Sequence, residues 1–160
     1  LVAARKRFEA EPDRVAIRRV DYGKPGWRKA VEGRFDVIVS GFSIHHQPDE
    51  RKRSLYGELF EMLEPGGIFL NVEHVSSPTP WLEEQATEHL IDAMFAYHSQ
   101  RGSKSRDEIA AELVRRDDKQ ANILAPVELQ CDWLREIGFQ DVDCFLKIFE
   151  LAVFGGRKTA

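Results

Sequence analysis

The sequence is poor in cysteine, and it lacks the residue spacings that most metal sites use. Only two of the 160 residues are cysteines, Cys131 and Cys144, and they form no CxxC pair. The five histidines show no HExxH spacing either. We therefore expect two reduced thiols, buried in a helix and a strand, in place of a disulfide or a catalytic cysteine. We expect no metal site.

Long apolar runs are also missing from the chain. No stretch approaches the roughly 20 apolar residues that a membrane-spanning helix needs. The first residues, LVAARKRFEAEPDR, form a charged stretch without the apolar core of a secretion signal. The chain begins with leucine and has no initiator methionine, which favours a missing upstream segment. These features predict a cytoplasmic protein without a membrane partner.

Charge is balanced, and no basic surface is evident from the sequence. The formal net charge is −4, with 42% hydrophobic and 31% charged residues, as in an ordinary soluble protein. Basic residues are spread along the chain as small groups and form no stripe, which disfavours a nucleic-acid partner without excluding one. The length suits one domain, residues 1–160, with a substantial core.

The most informative stretch lies between residues 35 and 72. Phe35–Val39 is a short β-branched run, typical of a buried parallel strand. A helix should begin at Pro48, because three leucines four residues apart form an apolar face: Leu55, Leu59 and Leu63. Pro65-Gly66-Gly67 ends that helix and leads into a second strand, Ile68–Val72. The pattern predicts a right-handed βαβ unit.

Weaker patterns flank this unit. Residues 1–10 indicate a helix, and Val15–Val20 alternates loosely as a strand before Asp21-Tyr22-Gly23. Trp81–His98 is predicted to be a helix with one apolar stripe: Leu82, Ala86, Leu90, Ala93 and Tyr97. This helix is either deeply covered or part of a substrate lid.

The last third of the sequence predicts two helices and a hairpin. Ser105 and Glu108 form a capping box that begins one helix. Another helix starts at Ala125-Pro126 and ends at Gly138, with Leu129, Trp133 and Ile137 on one face. Val142–Phe149 and Leu151–Gly155 are too close for a crossover helix, so they should pair as an antiparallel hairpin buried in the sheet.

Three segments of the chain resemble the class I S-adenosylmethionine-dependent methyltransferases: FDVIVSGFSIHH, LEPGGIFL and WLREIGFQDVDCF with the later ELAVFGGRK. The resemblance implies an α/β fold with a Rossmann-like sheet that ends in an antiparallel hairpin. Two elements of that family are absent, namely the Gly-rich turn after the first strand and the acidic residue after the second. The chain therefore resembles a methyltransferase domain that is N-terminally incomplete, and we expect it to be inactive alone.

The same resemblance implies residues that bind the cofactor S-adenosyl-L-methionine. Asp21 would accept a hydrogen bond from the adenine amino group, with Tyr22 beside it. Ser40, Gly41 and Phe42 would line the methionine part of the cofactor at the end of the first strand. The alternatives are a turn-forming aspartate before a glycine and a simple strand-to-helix turn.

Acceptor and catalytic residues are harder to assign, because methyl transfer depends mainly on positioning. His45 and His74 are weak candidates for a general base, although packing or surface roles are favoured for both. His74 follows Glu73 at the end of the second strand, where the acceptor would enter. Tyr97 and Arg101 are further candidates for the acceptor pocket, against a solvated helix end.

The sequence thus predicts a methyltransferase that uses S-adenosyl-L-methionine and acts on a small molecule or a modified tRNA uridine. The alternative is a non-catalytic, Rossmann-like remnant or interaction module that has lost cofactor binding. A nicotinamide-dependent oxidoreductase has little support, because no GxGxxG turn is present. The oligomeric state stays open, with a homodimer among the choices.

Overall fold

The computed structural model describes residues 2–31, 33–99, 104–115 and 121–160. The chain forms two compact units, Leu1–Arg34 and Phe35–Ala160. The first unit contains helix α1, Val2–Arg7, and a single 3₁₀ turn, Trp27–Ala30. All four strands lie in the second unit.

The strand predicted at Val15–Val20 is not formed, and this prediction was wrong. A strand needs a neighbour to accept and donate its backbone hydrogen bonds. No strand is described within the first unit, so the alternation of apolar residues there has no sheet to join.

The second unit is built on a four-stranded mixed sheet with the order β1-β2-β4-β3. Strands β1 and β2 are parallel, whereas β4 pairs antiparallel with both β2 and β3. Their bounds are Phe35–Gly41 (β1), Leu63–His74 (β2), Gln140–Ile148 (β3) and Leu151–Arg157 (β4). The predicted parallel pair and the predicted hairpin are both confirmed.

Helix α2, Asp49–Met62, is the crossover between β1 and β2. It begins directly after Pro48, and its predicted apolar face is buried through Leu55, Tyr56 and Leu59. The helix ends at Met62, earlier than expected, because Pro65-Gly66-Gly67 already belongs to β2. A side chain at Gly67 would meet the backbone oxygens of Glu64 and Phe35 within 3.0 Å, so the strands approach closely there.

Helices α3, Pro80–Ser99, and α4, Arg106–Val114, pack against each other. The capping box of Ser105 and Glu108 is present as predicted. The buried side of α3 agrees with the predicted stripe only in part, since Ala86 is buried but Leu90 and Tyr97 are exposed, and Ile91 outside the stripe is buried. Ile91 packs in a cluster with Ile109 and Leu113 of α4, so this contact rotates the buried face.

Helix α5, Val127–Ile137, ends at Gly138, where φ is 117°. This left-handed conformation favours glycine and confirms the predicted end of the helix. Its buried face contains Val127, Cys131 and Leu134, whereas Leu129 is 40% exposed, so the predicted face was wrong in part. Burial raises the pKa of the Cys131 thiol to about 11. Cys131 and Cys144 are both free thiols; Cys131 is buried as predicted, whereas Cys144 is only partly buried, so its predicted burial was wrong.

The two hairpin strands differ in burial. Ala152 and Phe154 of β4 are fully buried, whereas Phe145 and Leu146 of β3 are more than half exposed. The prediction of a buried hairpin is therefore confirmed for β4 and wrong for β3. The reason is the strand order, because β4 inserts between β2 and β3 and leaves β3 at the edge. None of the described helices is long and apolar enough to cross a lipid bilayer.

Candidate functional site

A cavity of about 610 Å³ opens in the second unit where β1 and β2 end. Residues from six segments line it: the segment after β1, the end of β2, helix α3, helix α4, Asn122, and the turn between β3 and β4. Cavities of this size suit small ligands. In open α/β sheets ligands bind outside the carboxyl ends of the strands, and this cavity lies at that edge.

Glu73, near the end of β2, is the polar centre beneath the cavity. Its side chain is buried, with 1% exposed. One carboxylate oxygen accepts hydrogen bonds from the backbone N–H groups of Ile44 (3.0 Å) and His45 (3.1 Å). The other accepts a hydrogen bond from the backbone N–H of His74 (2.9 Å). Three backbone donors compensate the buried charge and join the segment after β1 to the end of β2.

The His45 ring is oriented by the same carboxylate. Its Nδ1 contacts Glu73 Oε1, and with an ionised carboxylate, which can only accept, the proton of this contact lies on Nδ1. This arrangement leaves Nε2 as the ring nitrogen that the carboxylate does not engage. The His45 backbone oxygen accepts a hydrogen bond from Ile123 N–H (2.9 Å), which fixes the main chain as well. His45 is therefore held in one orientation at the cavity wall.

His74 forms a second histidine–glutamate pair. Its Nε2 lies 3.1 Å from Glu150 Oε2, and the Ser77 hydroxyl donates to the other Glu150 oxygen at 2.9 Å. The Glu150 backbone oxygen accepts a hydrogen bond from Val75 N–H (2.8 Å). The His74 and His45 ring centroids are 5.8 Å apart. Two imidazole–carboxylate pairs thus stand side by side in the cavity.

Aromatic rings form much of the remaining wall. Phe149, in the turn between β3 and β4, has φ of 51° and places its ring 5.3 Å from the ring of His89 on α3. Phe42 also has a positive φ, 47°, and its N–H donates to Val72 O (2.8 Å). Positive φ is uncommon for a phenylalanine and marks positions fixed by their surroundings. Both rings line the cavity.

Most of the remaining described lining is apolar, with Asn122 as a further polar side chain. Leu90, Ala93 and Leu113 contribute helical side chains, and Ile148 and Leu151 come from the hairpin. Among the described lining residues there is no lysine or arginine. No group of three or more metal-ligating side chains occurs in the described parts of the chain. The arrangement can bind an apolar molecule and accept a proton at an imidazole.

The predicted cofactor residues of β1 lie at the edge of this cavity. Ser40 and Gly41 end the strand, and Phe42 lines the cavity. A Cβ built on Gly41 meets no atom within 4 Å, so the strand end leaves open space. The residues present therefore fit the methionine part of S-adenosyl-L-methionine, which needs close approach to the backbone.

Asp21 and Tyr22 belong to the first unit. The Asp21 carboxylate accepts a hydrogen bond from Gly23 N–H (3.1 Å) and pairs with Lys24 Nζ at 3.3 Å. These contacts are those of a turn-forming aspartate, the alternative raised from the sequence. The side chain of Asp21 is 62% exposed, so its remaining lone pairs face solvent.

The acceptor residues predicted from the sequence are only partly brought together. His45 and His74 both line the cavity, but Tyr97 is exposed near the end of α3 and is not among the lining residues. Arg101 lies outside the described residues. Sequence reasoning missed Glu150, Phe149 and His89. A signal for Glu150 existed in the topology, because pairing of β4 with β2 places the hairpin turn beside His74.

No family model matches the sequence. A curated relative, carboxy-S-adenosyl-L-methionine synthase from Chromohalobacter salexigens, is 26% identical over 146 residues, covering 90% of this chain and 47% of the relative. The chain therefore spans about half the length of the curated relative that it matches.

Solved structures share the fold at lower identity. An O-methyltransferase family protein from Burkholderia thailandensis superposes with a TM-score of 0.65 at 18% identity, covering 99% of this chain and 41% of the other. PigF with SAH gives a TM-score of 0.58 at 16% identity, covering 98% and 40%. The comparisons confirm the resemblance predicted from the sequence: the chain has the fold of the class I S-adenosylmethionine-dependent methyltransferases and is similar to that family.

Proposed function

We propose that the protein is an S-adenosylmethionine-dependent enzyme of the methyltransferase type and that its acceptor is a small molecule. The observation that carries the proposal is the cavity at the ends of β1 and β2, with His45 fixed in its wall by the buried Glu73. The methyltransferase-like fold and the curated relative support the cofactor class.

His45 is the residue best placed to accept a proton from an acceptor. A general base works best when a third group orients it, and Glu73 does this through Nδ1. The basic Nε2 is then the atom that receives the proton, and the buried carboxylate stabilises the imidazolium that forms. His74 is the second candidate, with Glu150 in the corresponding position.

Ser40, Gly41 and Phe42 would hold the methionine part of the cofactor, and the cofactor role of Asp21 and Tyr22 stays a prediction from the sequence. When bound, S-adenosyl-L-methionine supplies an electrophilic methyl group on a sulfonium sulfur. The task left to the chain is to bind the acceptor, exclude water and take its proton. The apolar lining and the oriented His45 suit these three tasks.

A small molecule is favoured over a tRNA uridine as acceptor. The cavity of about 610 Å³ admits a compact ligand. The described lining has no lysine or arginine to receive phosphates, and the net charge of the chain is −4. Nucleic-acid binding depends strongly on such cations.

The test is formation of S-adenosylhomocysteine in the presence of S-adenosylmethionine and a panel of small acceptors. It is carried out with the 160-residue chain and, where the gene encodes residues before Leu1, with the whole encoded protein. We expect weak or no cofactor binding by the 160-residue chain and turnover by the whole protein. His45→Asn should lower turnover by about 10²–10⁴-fold, the usual contribution of a general base.

Two results would contradict the proposal. Calorimetry that shows no binding of S-adenosylmethionine or S-adenosylhomocysteine to the whole encoded protein would favour a non-catalytic module that has lost the cofactor. The absence of a Gly-rich turn in the sequence is the observation on that side. Turnover with unmodified or modified tRNA but with no small molecule would instead reassign the acceptor.

A further inference from the structure

The walls of the cavity differ in a way that selects among acceptors. One end presents the imidazoles of His45 and His74, and the described part of the lining otherwise consists mainly of aromatic and aliphatic side chains. Phe42 and Phe149 contribute aromatic faces there, and Leu90 and Leu113 contribute aliphatic contacts. Aromatic walls favour a flat, apolar ligand.

Charge at the polar end comes from carboxylates. Glu150 lines the cavity directly, and Glu73 lies beneath it. The Glu150 oxygens each accept a hydrogen bond already, one from His74 and one from Ser77. An anionic ligand would meet a carboxylate without a described lysine or arginine in compensation, and burial of an unpaired charge is costly. A cationic ligand would instead be attracted by the Glu150 carboxylate, which keeps its negative charge and further lone pairs although each oxygen already accepts one hydrogen bond.

We propose that the cavity binds an aromatic acceptor that carries a hydroxyl group and no negative charge, and that the turn residues Phe149 and Glu150 determine this preference. This inference deepens the proposed function and rests on it, because the bound ligand is an acceptor only if the protein transfers a methyl group. Phe149 packs on His89 and supplies the aromatic face, and Glu150 excludes anions while it orients His74. The ligand hydroxyl reaches the imidazoles at the polar end.

The proton step that this pocket supports is a simple transfer. The ligand O–H bond breaks, its electron pair stays on oxygen, and an N–H bond forms at an imidazole nitrogen. His45 Nε2 and His74 Nδ1 are the two nitrogens not assigned to a carboxylate. The other titratable groups around them are Glu73, Glu150 and the rings of His46 and His89.

Equilibrium binding of three probes to the 160-residue chain tests the preference without any cofactor. The probes are 4-nitrophenol at a pH where it is protonated, 4-nitrobenzoate and benzylammonium. We expect 4-nitrophenol to bind at least about tenfold more tightly than 4-nitrobenzoate, because the anion is buried beside Glu150 without a described cation as its partner. Benzylammonium should also bind more tightly than 4-nitrobenzoate, because Glu150 attracts it. Equal or tighter binding of 4-nitrobenzoate would overturn the proposal.

Two variants assign the preference to the turn. Phe149→Asn removes the ring but keeps a residue that tolerates positive φ, and it should weaken 4-nitrophenol binding by about tenfold, the loss of one aromatic contact. The matched control is Phe145→Asn, since Phe145 is an exposed aromatic residue of the same hairpin that is not among the lining residues. It should leave binding unchanged. An equal effect of both variants would contradict the assignment.

Glu150→Gln tests the role of charge. It should raise the affinity for 4-nitrobenzoate relative to 4-nitrophenol, because the repelling carboxylate is replaced by an amide of the same shape. An unchanged ratio would remove Glu150 from the proposal. Since no probe requires S-adenosylmethionine, the binding preference can fail while methyl transfer is observed, and methyl transfer can fail while the preference is observed.

Discussion

The two histidine–glutamate pairs of the cavity contain the same residue types but are embedded differently. The Glu73 side chain is 1% exposed and accepts three backbone hydrogen bonds in addition to that of His45. The Glu150 side chain is 18% exposed, lies in a hairpin turn, and accepts only side-chain donors. The first pair is part of the hydrogen-bond network that joins the segment after β1 to the end of β2. The second pair lies outside this network, with Glu150 on the hairpin turn that lines the cavity.

The difference teaches how one kind of contact can serve two purposes. A carboxylate fixed by backbone donors cannot move without disturbing two strands, so it can orient a base reproducibly. A carboxylate on a turn can be changed at small cost to the fold, so it suits the selection of ligands. This contrast predicts a large difference between the two pairs in stability measurements.

Glu73→Gln should produce the largest effect. Glutamine offers one carbonyl oxygen where the carboxylate offers two, and its amide hydrogens would face backbone donors. Breaking one side of a buried charged pair costs about 3–5 kcal/mol in free energy of unfolding. Urea denaturation of the variant and the wild-type chain measures this difference. A loss below about 1 kcal/mol, the net contribution of an ordinary hydrogen bond, would show that Glu73 is not needed to join the segment after β1 to β2.

Phe154→Ala serves as a control that should lower the free energy of unfolding by a similar amount. Phe154 is fully buried in β4 and pairs with Asn71 of β2, two positions before Glu73. Removal of a core aromatic ring should cost roughly 3–5 kcal/mol. Below its unfolding transition the variant should bind 4-nitrophenol as the wild-type chain does, because Phe154 does not line the cavity. Glu73→Gln should weaken that binding. An equal loss of 4-nitrophenol binding in both variants would mean that lower overall stability, and not the orientation of His45, weakens the binding.

Glu150→Gln should have the smallest effect on stability. Its carboxylate is partly exposed, and the amide oxygen keeps one of the two side-chain hydrogen bonds. We expect a loss of about 0.5–1.5 kcal/mol in the same urea experiment. A loss as large as that of Glu73→Gln would remove the distinction between the two pairs.

The central βαβ unit could be predicted from the sequence because local and tertiary signals agree there. The β-branched run at Phe35 and the leucines of α2 indicate the observed strand and helix. Pro65-Gly66-Gly67, predicted as a turn before the second strand, lies within β2. The hairpin was predictable from the short connection between its strands. The strand at Val15–Val20 failed because local alternation carries no information about a partner strand.

The burial of the hairpin strands and the contact between Glu150 and His74 depend on strand order, which short-range sequence patterns do not contain. The exposure of Phe145 follows from the edge position of β3. The contact of Glu150 with His74 joins residues 76 positions apart and arises only when β4 inserts beside β2. His45 and His74 could be named as candidates, but the carboxylates that give them different roles could not.

The central claim is that Glu73 holds His45 with its proton on Nδ1, so that Nε2 meets the acceptor. The most direct test is a set of two-bond ¹⁵N–¹H correlation spectra of the histidine side chains of the 160-residue chain. They are recorded with and without 4-nitrophenol, at the pH of the binding experiment where the probe is protonated. The His45→Asn variant lacks this ring, so the signals missing from its spectrum are those of His45. The account predicts that free His45 is protonated at Nδ1 and that its Nε2 signal shifts when the probe binds. A His45 ring protonated at Nε2, or an Nε2 signal unmoved at saturating probe, would contradict it.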